Sequence, residues 1–465
     1  MPSGPESLVG DPAYHTQFTR ARGLLLAHPG RWRVIYHYDG DGIASASSAL
    51  RALRRLGYGV QATAFQGVRR SHMEEILRAT AGPVWVVDTG ASWLDLFAKH
   101  PHPVLILDHH KYPDPEAAQR LPDHVAFVNP LDWGVDGMSE MCAATLTWLY
   151  TILLDPRNWD NAPWGISGAI ADRQHVGGFR GPNAWLMEEA LRRDLLARGP
   201  RLGLSGPTLA SALVRSIDPY FRGLSNHPEA VTPFIKGLGI DPAKAPGALS
   251  SAENGRLGDA LVAHLTEQGV RPEFIEGFRV DRWSVPSLGL EAEELSNLQN
   301  ATGRLGTPGL GIALALGDPG ALDRAREAEE GWRTGILTGL KRLEEGAAKP
   351  MRAIQWFESP ENSLAGTQAG LAMNYLLDPH RPVLAGSRGE DPVVRVSGRG
   401  TLWLVGQGLD LAGALRDAAA SVGGEGGGHR VAAGATVPAD RWSAFLEAVD
   451  RIVLTQLTSK AGGAT

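Results

Sequence analysis

Histidine and aspartate side chains recur at four places in the N-terminal part of this 465-residue chain. In chain order they are His37, Asp39 and Asp41 in HYDGDG, Asp88 in VVDTGAS, Asp108, His109 and His110 in DHH, and Asp172 in AIADRQ. Residues two apart in an extended segment point to the same side, so the first three side chains can face one centre. Mixed carboxylate and imidazole groups without thiolate suit Mn²⁺, with Mg²⁺, Zn²⁺ or Co²⁺ as alternatives.

Taken one at a time, these groups have ordinary explanations. A single aspartate at a strand end is usually a helix cap or a turn residue, and an isolated histidine pair more often lies at the surface. Together, six His and Asp groups at successive strand ends would repel one another without a cation, so we predict a metal centre. Two divalent cations bridged by one carboxylate fit six ligands better than one ion does. Ions ~3.5–4 Å apart stabilise both oxygens of an in-line phosphoryl displacement.

The elements that must position these groups are strands of a parallel sheet. Short apolar runs alternate with helical segments, which predicts an α/β fold with helices on the faces of the sheet. The predicted strands are 33–38, 60–65, 83–88, 103–108 and 124–129, and the predicted helices are 43–57, 71–80, 92–99, 138–153 and 163–175. Three of the four motifs fall at the ends of predicted strands, and open parallel sheets bind ligands outside the carboxyl ends of their strands.

The balance of strand and helix patterns changes twice more along the chain, which predicts three regions. Residues 1–184 form the metal-binding domain, 185–350 a mostly helical middle region, and 351–465 a smaller α/β domain. In this last region the predicted strands are 352–357, 382–387, 393–398, 401–406 and 431–437, with helices at 363–377 and 409–421. The glycine run at 423–429 is the only low-complexity segment.

The set H-x-D-x-D-G, VVD, DHH and a later helix-borne aspartate resembles motifs I to IV of the DHH phosphoesterases. The resemblance implies one ion held by His37 and Asp39, a second held by Asp41, His109 and Asp172, and Asp88 as the bridge. It also implies that His110 faces the substrate phosphate and that Asp108 orients His109 without itself binding an ion. Every position of the pattern is filled, which favours an active enzyme over an inactive relative.

Near the C-terminus, a GGGH segment ending at His429 and followed by AAG resembles the signature of the DHHA-type substrate-binding domain. Glycines let backbone N–H groups approach a phosphate, so Gly427 and Gly428 are candidate substrate-binding residues and His429 adds a donor. A bare glycine run is usually a flexible linker. The strand-like segment that follows at once favours the binding site here.

A serine–arginine turn supplies the other half of this candidate surface. Ser397 and Arg399, in the sequence SGR, resemble the turn of the DHHA-type domain whose arginine holds the phosphate or the terminal nucleotide. Arg388 and Arg395 are candidates for the same face, although Arg388 is equally well explained as a surface arginine. The resemblance implies an active site between metal ligands on one wall and these groups on the other.

The middle region indicates a branch of the superfamily. The segment NATGRLG, from Asn300 to Gly306, and the segment IDPYFRGLS at 217–225 resemble the archaeal RecJ-like exonucleases, the group that includes the GINS-associated nuclease. The resemblance runs from about residue 33 to 437, and Thr302 stands where many such relatives have cysteine. It implies that Arg304 contacts the nucleic-acid backbone and Asn300 positions it. The alternative for this pair is a helix end with a solvated arginine.

The bulk composition excludes several classes of protein. A formal net charge of −6 does not provide the basic surface of a non-specific duplex binder. One cysteine, Cys142, cannot form an internal disulfide, which fits a reducing compartment. The N-terminus has no signal-peptide pattern, and no apolar run reaches the ~20 residues of a membrane span. We therefore expect a cytoplasmic protein that does not enter membranes.

These observations predict a metal-dependent exonuclease on single-stranded DNA or RNA, with two divalent cations, of which Mn²⁺ fits best and Mg²⁺ or Co²⁺ are alternatives. A second hypothesis is a small-substrate phosphodiesterase acting on oligoribonucleotides, cyclic dinucleotides or a phosphoadenosine. The unremarkable net charge and the lack of room for the OB-fold of bacterial-type RecJ favour this second hypothesis. A third hypothesis is a replication scaffold that binds GINS, against which the complete ligand set argues.

Overall fold

A computed structural model describes residues 11–66, 70–200, 202–278 and 281–461 of the chain. Their contacts define two compact units: the described residues of Met1–Gly199 with Asp281–Glu330, and those of Pro200–Val280 with Gly331–Thr465. The chain therefore passes between the units at three points, after residues 199, 280 and 330. The three-domain division at 184 and 350 stays a prediction.

The first unit is built on a five-stranded sheet. Its strands are β1 (Arg31–His37), β2 (Gly59–Phe65), β3 (Val84–Val87), β4 (Val104–Leu107) and β5 (Val125–Val128). All neighbouring strands are parallel, in the order β2-β1-β3-β4-β5. The predicted α/β fold is confirmed, and each predicted strand lies within two residues of an observed one.

Helices cover both faces of this sheet, which is typical of parallel sheets. They are α1 (Pro12–Ala27), α2 (Gly40–Arg55), α3 (Arg70–Arg78), α4 (Leu94–Phe97), α5 (Pro115–Gln119), α6 (Ala143–Leu154), α7 (Ala162–Ala171) and α8 (Gly181–Arg192). Within β3, Trp85 and Val87 pack in the core on the side of α1, α2, α6 and α7. Val84 and Val86 pack in the core on the other side, with α3 and α4.

The region after residue 192 is mostly helical, as predicted, but it also contains a small sheet that the sequence did not predict. The helices are α9 (Leu209–Val214), α10 (Pro228–Gly237), α11 (Ser251–Glu267), α12 (Pro272–Glu276), α13 (Ala292–Arg304), α14 (Pro308–Ala315) and α15 (Ala321–Glu344). The small sheet comprises β6 (Ala197–Pro200), β7 (Asp281–Val285) and β8 (Leu290–Glu291). Strands this short carry too few alternating residues to stand out from their helical surroundings.

The second unit contains a six-stranded mixed sheet. Its strands are β9 (Lys349–Pro350), β10 (Gln355–Ser359), β11 (Val383–Arg388), β12 (Val393–Arg399), β13 (Glu425–Gly428) and β14 (Ala432–Pro438). The order is β13-β14-β12-β11-β10-β9, and only β10 and β11 are parallel to each other. The remaining helices are α16 (Asn362–Tyr375), α17 (Leu402–Gly406), α18 (Leu411–Ser421) and α19 (Trp442–Ala461).

Helices lie on both faces of this second sheet. A Cβ on Gly366 of α16 would lie 2.8 Å from the Arg399 guanidinium, whereas one on Gly398 would meet Leu411 and Leu415 of α18. Since neighbouring strand residues point to opposite faces, α16 and α18 are on opposite sides. Helix α19 packs with α18 through the same apolar core.

Two local predictions were wrong, and one strand was not predicted. Residues 401–406 were predicted as a strand, but they form α17, because Thr401 Oγ1 accepts the N–H of Leu404 at 3.1 Å and caps a turn whose Leu404 side chain is buried. The predicted glycine-rich segment contains the regular strand β13. The helix predicted from residue 138 begins at Ala143, after Cys142 and Thr145 form a capping box.

None of the helices in the described ranges is long and apolar enough to cross a membrane.

Candidate active site

The four His and Asp motifs meet at the carboxyl edge of the parallel sheet. His37 ends β1, while Asp88 and Asp108 directly follow β3 and β4. The backbone N–H of Asp88 donates to Leu107 at 3.1 Å, so the strand ladder holds this residue in place. In the strand order 2-1-3-4-5, the gap between β1 and β3 is where connections leave in opposite directions, and ligands bind at such switch points.

One ligand group consists of His37, Asp39 and Asp88, whose ligand atoms all lie within 4.8 Å of one another. His37 Nδ1 lies 2.9 Å from Asp39 Oδ2 and 3.6 Å from Asp88 Oδ2. Asp39 is also the N-cap of α2, with Oδ1 accepting the N–H of Gly42 at 3.1 Å. Burial alone would lower the pKa of His37, but the charge and hydrogen bond of Asp39 raise this pKa to about 11.

A second ligand group consists of Asp41, His109 and Asp172, again with ligand atoms within 4.8 Å of one another. His109 Nε2 lies 3.8 Å from Asp41 Oδ2 and 3.3 Å from Asp88 Oδ1. Asp172 caps the C-terminal end of α7, as predicted, and its Oδ2 is 3.9 Å from His109 Nδ1. Burial and the charges of Asp88 and Asp39 raise the pKa of Asp172 to about 6, against the opposing charge of His109.

Asp88 contacts residues of both ligand groups. Its Oδ2 faces His37 and its Oδ1 faces His109, and the side chain is almost fully buried. The backbone at Asp88 has a φ of +57°, a left-handed conformation that aspartate tolerates better than most residues. Strained backbone of this kind is concentrated at functional sites. The position between two imidazoles is the one a bridging carboxylate needs.

The hydrogen bonds of His109 test whether these groups suit a cation. Nδ1 lies 2.7 Å from the carbonyl oxygen of Gly137, and since a carbonyl only accepts, Nδ1 carries the proton. The other nitrogen of a neutral ring, Nε2, then directs a lone pair toward the carboxylates of Asp41 and Asp88. Such an arrangement is stable only when a proton or a metal ion lies between them, and a carbonyl behind a ligating histidine is the usual support. The donor set therefore fits divalent cations.

Backbone groups of α6 hold Asp41, a contact that the sequence did not reveal. Its two carboxylate oxygens accept the N–H groups of Ala143 and Ala144, each at 2.9 Å. These donors are the unpaired N–H groups at the start of a helix, which bind anions. Burial, followed by the charges of Asp88 and Asp172, raises the pKa of Asp41 well above its usual value.

Gln174 is a further residue that sequence reasoning missed. Its Nε2 donates to Asp172 Oδ2 and to the carbonyl of Gly137, both at 2.8 Å, and its Oε1 accepts from Asn183. One carbonyl therefore supports both His109 and Gln174, and through them two predicted ligands. The spacing of Gln174 two residues after Asp172 was the only available signal.

Asp108 pairs with His110, which corrects the expectation that it orients His109. Asp108 Oδ1 lies 2.7 Å from His110 Nδ1, and Oδ2 accepts the N–H of Ala91 at 2.8 Å. Burial opposes the ionisation of Asp108, but the hydrogen bond and charge of His110 lower its pKa to about 2. Burial likewise opposes the charged form of His110, yet Asp108 raises its pKa to about 9. The His110 side chain remains half exposed.

Helix α13 holds the loop that carries the first motif. Asn300 Oδ1 accepts the N–H of Gly40 at 2.9 Å, and Arg304 Nη1 donates to the Tyr38 hydroxyl at 3.0 Å. A Cβ on Gly303 would lie 1.9 Å from the carbonyl oxygen of Tyr38, so only glycine permits this approach. The structure engages both Asn300 and Arg304 with the loop of the first motif, and their action on the substrate stays a prediction.

The same helix also contacts the element that carries Asp172. Ser167 Oγ, in α7, donates to Gln299 Oε1 at 2.7 Å, and both residues are fully buried. Since Asp172 directly follows α7, α13 touches the supports of the first and the fourth motif at once.

In the second unit, Ser397 and Arg399 alternate along β12 and therefore face the same side of the sheet. The register pairs Ser397 with Gly434 and Arg399 with Ala432, and it pairs Gly434 with Gly427 of β13. Opposed residues in antiparallel strands share a face, so small residues surround these two polar side chains. We name this surface the β12–β13 cradle: Ser397, Arg399, Gly427, Ala432 and Gly434.

The glycines of β13 differ in what surrounds them. A Cβ on Gly426 would lie 2.7 Å from the carbonyl oxygen of Leu415, and one on Gly428, at a φ of +138°, would lie 2.7 Å from Ala433. A Cβ on Gly427 would meet nothing within 4 Å. Packing therefore requires the outer two glycines, whereas Gly427 opens onto free space above the cradle.

The other three candidate residues differ in whether they lie at the β12–β13 cradle. His429 is exposed in the turn after β13, where its N–H donates to Ala432 at 2.8 Å. Arg395 lies on the same face as Ser397 but is paired with Asp391. Arg388 is opposite Val394, which is buried in the core on the other face, so it does not join the cradle.

Comparison with known proteins agrees with this architecture. The DHH family N-terminal domain matches residues 31–172, and the DHHA1 domain matches residues 361–455. An uncharacterised protein of Methanocaldococcus jannaschii is 27% identical over 438 residues, which is 93% of this chain and 95% of the relative.

Two solved structures show the same fold. The crystal structure of exonuclease RecJ bound to manganese has a TM-score of 0.57 at 20% identity, over 94% of each chain. The structure of CDC45 from Entamoeba histolytica has a TM-score of 0.65 at 10% identity, over 95% of this chain and 98% of that one. The chain is therefore a member of the DHH superfamily, with an N-terminal DHH domain and a C-terminal DHHA1 domain, and it shares its fold with RecJ and CDC45.

Proposed function

We propose that the protein is a phosphodiesterase dependent on two divalent cations, and that it acts as an exonuclease on single-stranded DNA or RNA. The observation that carries the proposal is that Asp88, a member of the first ligand group, also reaches the second, with its Oδ1 3.3 Å from His109 Nε2. His37 and Asp39 lie on one side of this carboxylate, and His109 lies on the other. Two-ion centres of this kind serve in-line displacement at phosphorus.

The ions would be held by His37, Asp39, Asp41, Asp88, His109 and Asp172. When bound, two divalent cations lower the pKa of a water and offset the charge that develops on the phosphate. We expect Mn²⁺ as the preferred ion, with Mg²⁺ or Co²⁺ as substitutes, because the ligands mix imidazole and carboxylate groups. RecJ, which shares the fold, was solved with manganese bound.

The catalytic pair is His110 with Asp108. Asp108 fixes the proton on His110 Nδ1, and the half-exposed ring presents its Nε2 edge to the surroundings. In the metal-free protein Asp108 raises the pKa of His110 to about 9, which favours the protonated ring, and its Nε2–H could donate to a phosphate oxygen. In the second unit, Arg399, Ser397 and the backbone at Gly427 and Gly428 would bind a substrate phosphate, and His429 would add a donor.

The exposed apolar side chains favour a nucleic acid over an inorganic polyphosphate. Among the residues that the structure describes, five of the six large exposed hydrophobic residues are within a few residues in sequence of the site or its supports. They are Met138 beside Gly137, Val176 after Gln174, Leu305 beside Arg304, and Leu402 and Trp403 after Arg399. Bases and sugars offer apolar surface that such side chains can cover, and phosphates alone do not.

The test is cleavage by the purified full chain with Mn²⁺. End-labelled single-stranded DNA and RNA are compared with a dinucleotide and a cyclic dinucleotide. We expect stepwise loss of nucleotides from the long strands, abolished in Asp108→Ala and in Asp172→Ala. Asp123→Ala removes an exposed carboxylate outside both ligand groups and should leave cleavage intact. Absence of any cleavage by a metal-loaded chain would contradict the proposal.

A second candidate is a phosphodiesterase for short substrates such as oligoribonucleotides, cyclic dinucleotides or a phosphoadenosine. The formal charge of −6 favours it, because long single strands are usually held by an extended basic groove. Cleavage of the dinucleotide or cyclic dinucleotide alone in the same assay would select this candidate.

GINS is a proposed partner, on the basis of the resemblance to the archaeal group. A filled ligand set argues that such binding would accompany catalysis and not replace it. Co-purification with GINS tests the partner, and a chain that binds GINS but is inert with Mn²⁺ would support a scaffold instead. A cytoplasmic location also stays a prediction.

A further inference from the structure

Two adjacent apolar side chains protrude from the short helix α17 of the second unit. Leu402 is 79% exposed and Trp403 is 50% exposed, and no larger aromatic surface is exposed among the described residues. Leaving half of an indole in water forgoes a substantial hydrophobic stabilisation. The position of Trp403 therefore requires an explanation outside the packing of the unit.

The surrounding contacts hold Trp403 in place. Thr401 caps α17 and also donates to the carbonyl of Pro379 at 3.5 Å, while the buried Leu404 anchors the helix from below. The ring of His380 contacts Trp403 edge-on, with 4.8 Å between centroids and 89° between planes. An indole held by one T-shaped contact and half exposed has free surface on which another ring can stack.

This helix lies at the same end of the sheet as the β12–β13 cradle. Arg399 is the last residue of β12, and Gly400 donates its N–H to Val431 in the turn between β13 and β14. That turn carries the exposed His429 and Arg430. Cationic groups and a half-exposed aromatic ring thus occur together at one end of the sheet.

We propose that Trp403 is a stacking platform for a nucleobase of the single-stranded substrate. The inference deepens the proposed function and rests on it. A phosphate held by Arg399 and the Gly427 backbone places the adjoining nucleoside at this end of the sheet. Stacking on an indole is tolerant of base identity, because every base has a π-face. Trp403 would therefore contribute affinity and not sequence specificity, while His380 positions its ring.

The test measures binding of two phosphorothioate oligonucleotides, which resist cleavage, to the Mn²⁺-loaded full chain by fluorescence anisotropy. One oligonucleotide carries bases and the other is abasic, with the same number of phosphates. We expect wild type to bind the base-containing strand about tenfold more tightly than the abasic strand. Trp403→Ala should lose this preference, and Trp403→Phe should retain most of it. Leu26→Ala removes an exposed apolar side chain in the first unit and is the matched control.

An unchanged preference in Trp403→Ala would overturn the platform, and so would an equal loss of affinity for both strands, which indicates a phosphate contact or a disturbed fold. If Trp403 instead serves a protein partner, neither oligonucleotide responds to the substitution. Cleavage of unmodified strands is measured in parallel. Cleavage with an unchanged preference refutes the platform alone, whereas no cleavage refutes the proposed function whatever the binding result.

Discussion

The carbonyl oxygen of Gly137, which belongs to none of the four motifs, orients His109 to bind a cation. The carbonyl of Gly137 accepts a hydrogen bond from Nδ1–H, and Nε2 therefore faces Asp41 and Asp88. Without metal, burial opposes a charged ring, but the hydrogen bond and charge of Asp88 and the charge of Asp172 raise the pKa of His109 well above its usual value. A proton and a divalent cation therefore compete for one lone pair.

The competition predicts that Mn²⁺ binding releases protons and strengthens as pH rises. His37 and His109 both have raised pKa values in the metal-free protein, so they are protonated at neutral pH and must lose protons to become ligands. Isothermal titration calorimetry in buffers of different ionisation enthalpy measures the protons released. An apparent affinity that is independent of pH, with no proton released, would contradict this ligand assignment.

Gly426 and Gly427 of β13 predict two different mutational outcomes. Gly427→Ala adds a methyl group in open space, so the unfolding free energy should change by less than about 0.5 kcal/mol, while KM for hydrolysis rises. Gly426→Ala places its Cβ 2.7 Å from a backbone oxygen and should lower the melting temperature. Thermal melts and initial rates on the same preparations separate the two effects. Equal destabilisation by both variants would refute the distinction.

At the site, sequence could predict side chains but not the backbone groups that support them. His and Asp at strand ends are recognisable because few other arrangements explain them together. The carbonyl of Gly137 and the N–H groups of Ala143 and Ala144 have no signature in residue type. Asn300 was identified as a site residue, yet its contact with Gly40 required the fold.

Among the elements, α13 has the most consequential position, because it touches two motifs that are far apart in sequence. Asn300 and Gly303 contact the loop of residues 38–40, and Gln299 contacts α7. The helix thus acts on the spacing between the first and the fourth motif. Its residues would influence metal affinity without contacting the metal.

We expect Gly303→Ala to weaken Mn²⁺ binding more than tenfold. The Cβ of the alanine would lie 1.9 Å from the Tyr38 carbonyl oxygen, so the loop of residues 38–40 must shift. Gly309→Ala, in the next helix, meets nothing within 4 Å and is the control. Asn300→Ala leaves the buried N–H of Gly40 without its acceptor, which should destabilise by about 1–3 kcal/mol. Metal titrations check the prediction for Gly303→Ala, and thermal melts check the one for Asn300→Ala. Identical titrations for the two glycine variants would refute the role of α13.

The elements themselves were predictable to different degrees. Strands β1, β3, β4 and β5 were located because each contains an apolar run buried on both faces, whereas β2 is largely exposed and was recognised from its alternation with helices. Residues 401–406 form a similar apolar run, yet the capping hydroxyl of Thr401 and one inward Leu404 make it a helix. Strands β6, β7 and β8 are too short for a periodic signal, and β6 pairs with β7 from about eighty residues earlier in the sequence.

At the scale of the whole molecule, cation binding is expected to contribute to stability. Five carboxylates, from Asp39, Asp41, Asp88, Asp108 and Asp172, lie within or beside the two ligand groups. An ion that binds only the folded state stabilises it by about 2.7 kcal/mol at 100 times its Kd. The melting temperature should therefore rise by several degrees from EDTA to saturating Mn²⁺.

Differential scanning calorimetry of wild type and Asp172→Asn provides the comparison. The variant keeps the size of the side chain but loses a ligand charge, so its metal-dependent rise should be smaller. A wild-type melting temperature that does not respond to Mn²⁺ would show that the centre does not bind the ion in the folded state.

The threefold passage of the chain between its units has a consequence for dissection and for ancestry. A fragment ending near residue 184 retains every predicted metal ligand but lacks α13, which lies at Ala292–Arg304. Such a fragment lacks the helix that holds the loop of its first motif, because that helix is encoded more than a hundred residues downstream. A self-sufficient version needs residue 199 joined to residue 281 by a short linker. Shuffling by simple end-to-end fusion could not exchange the metal-binding half of this molecule intact.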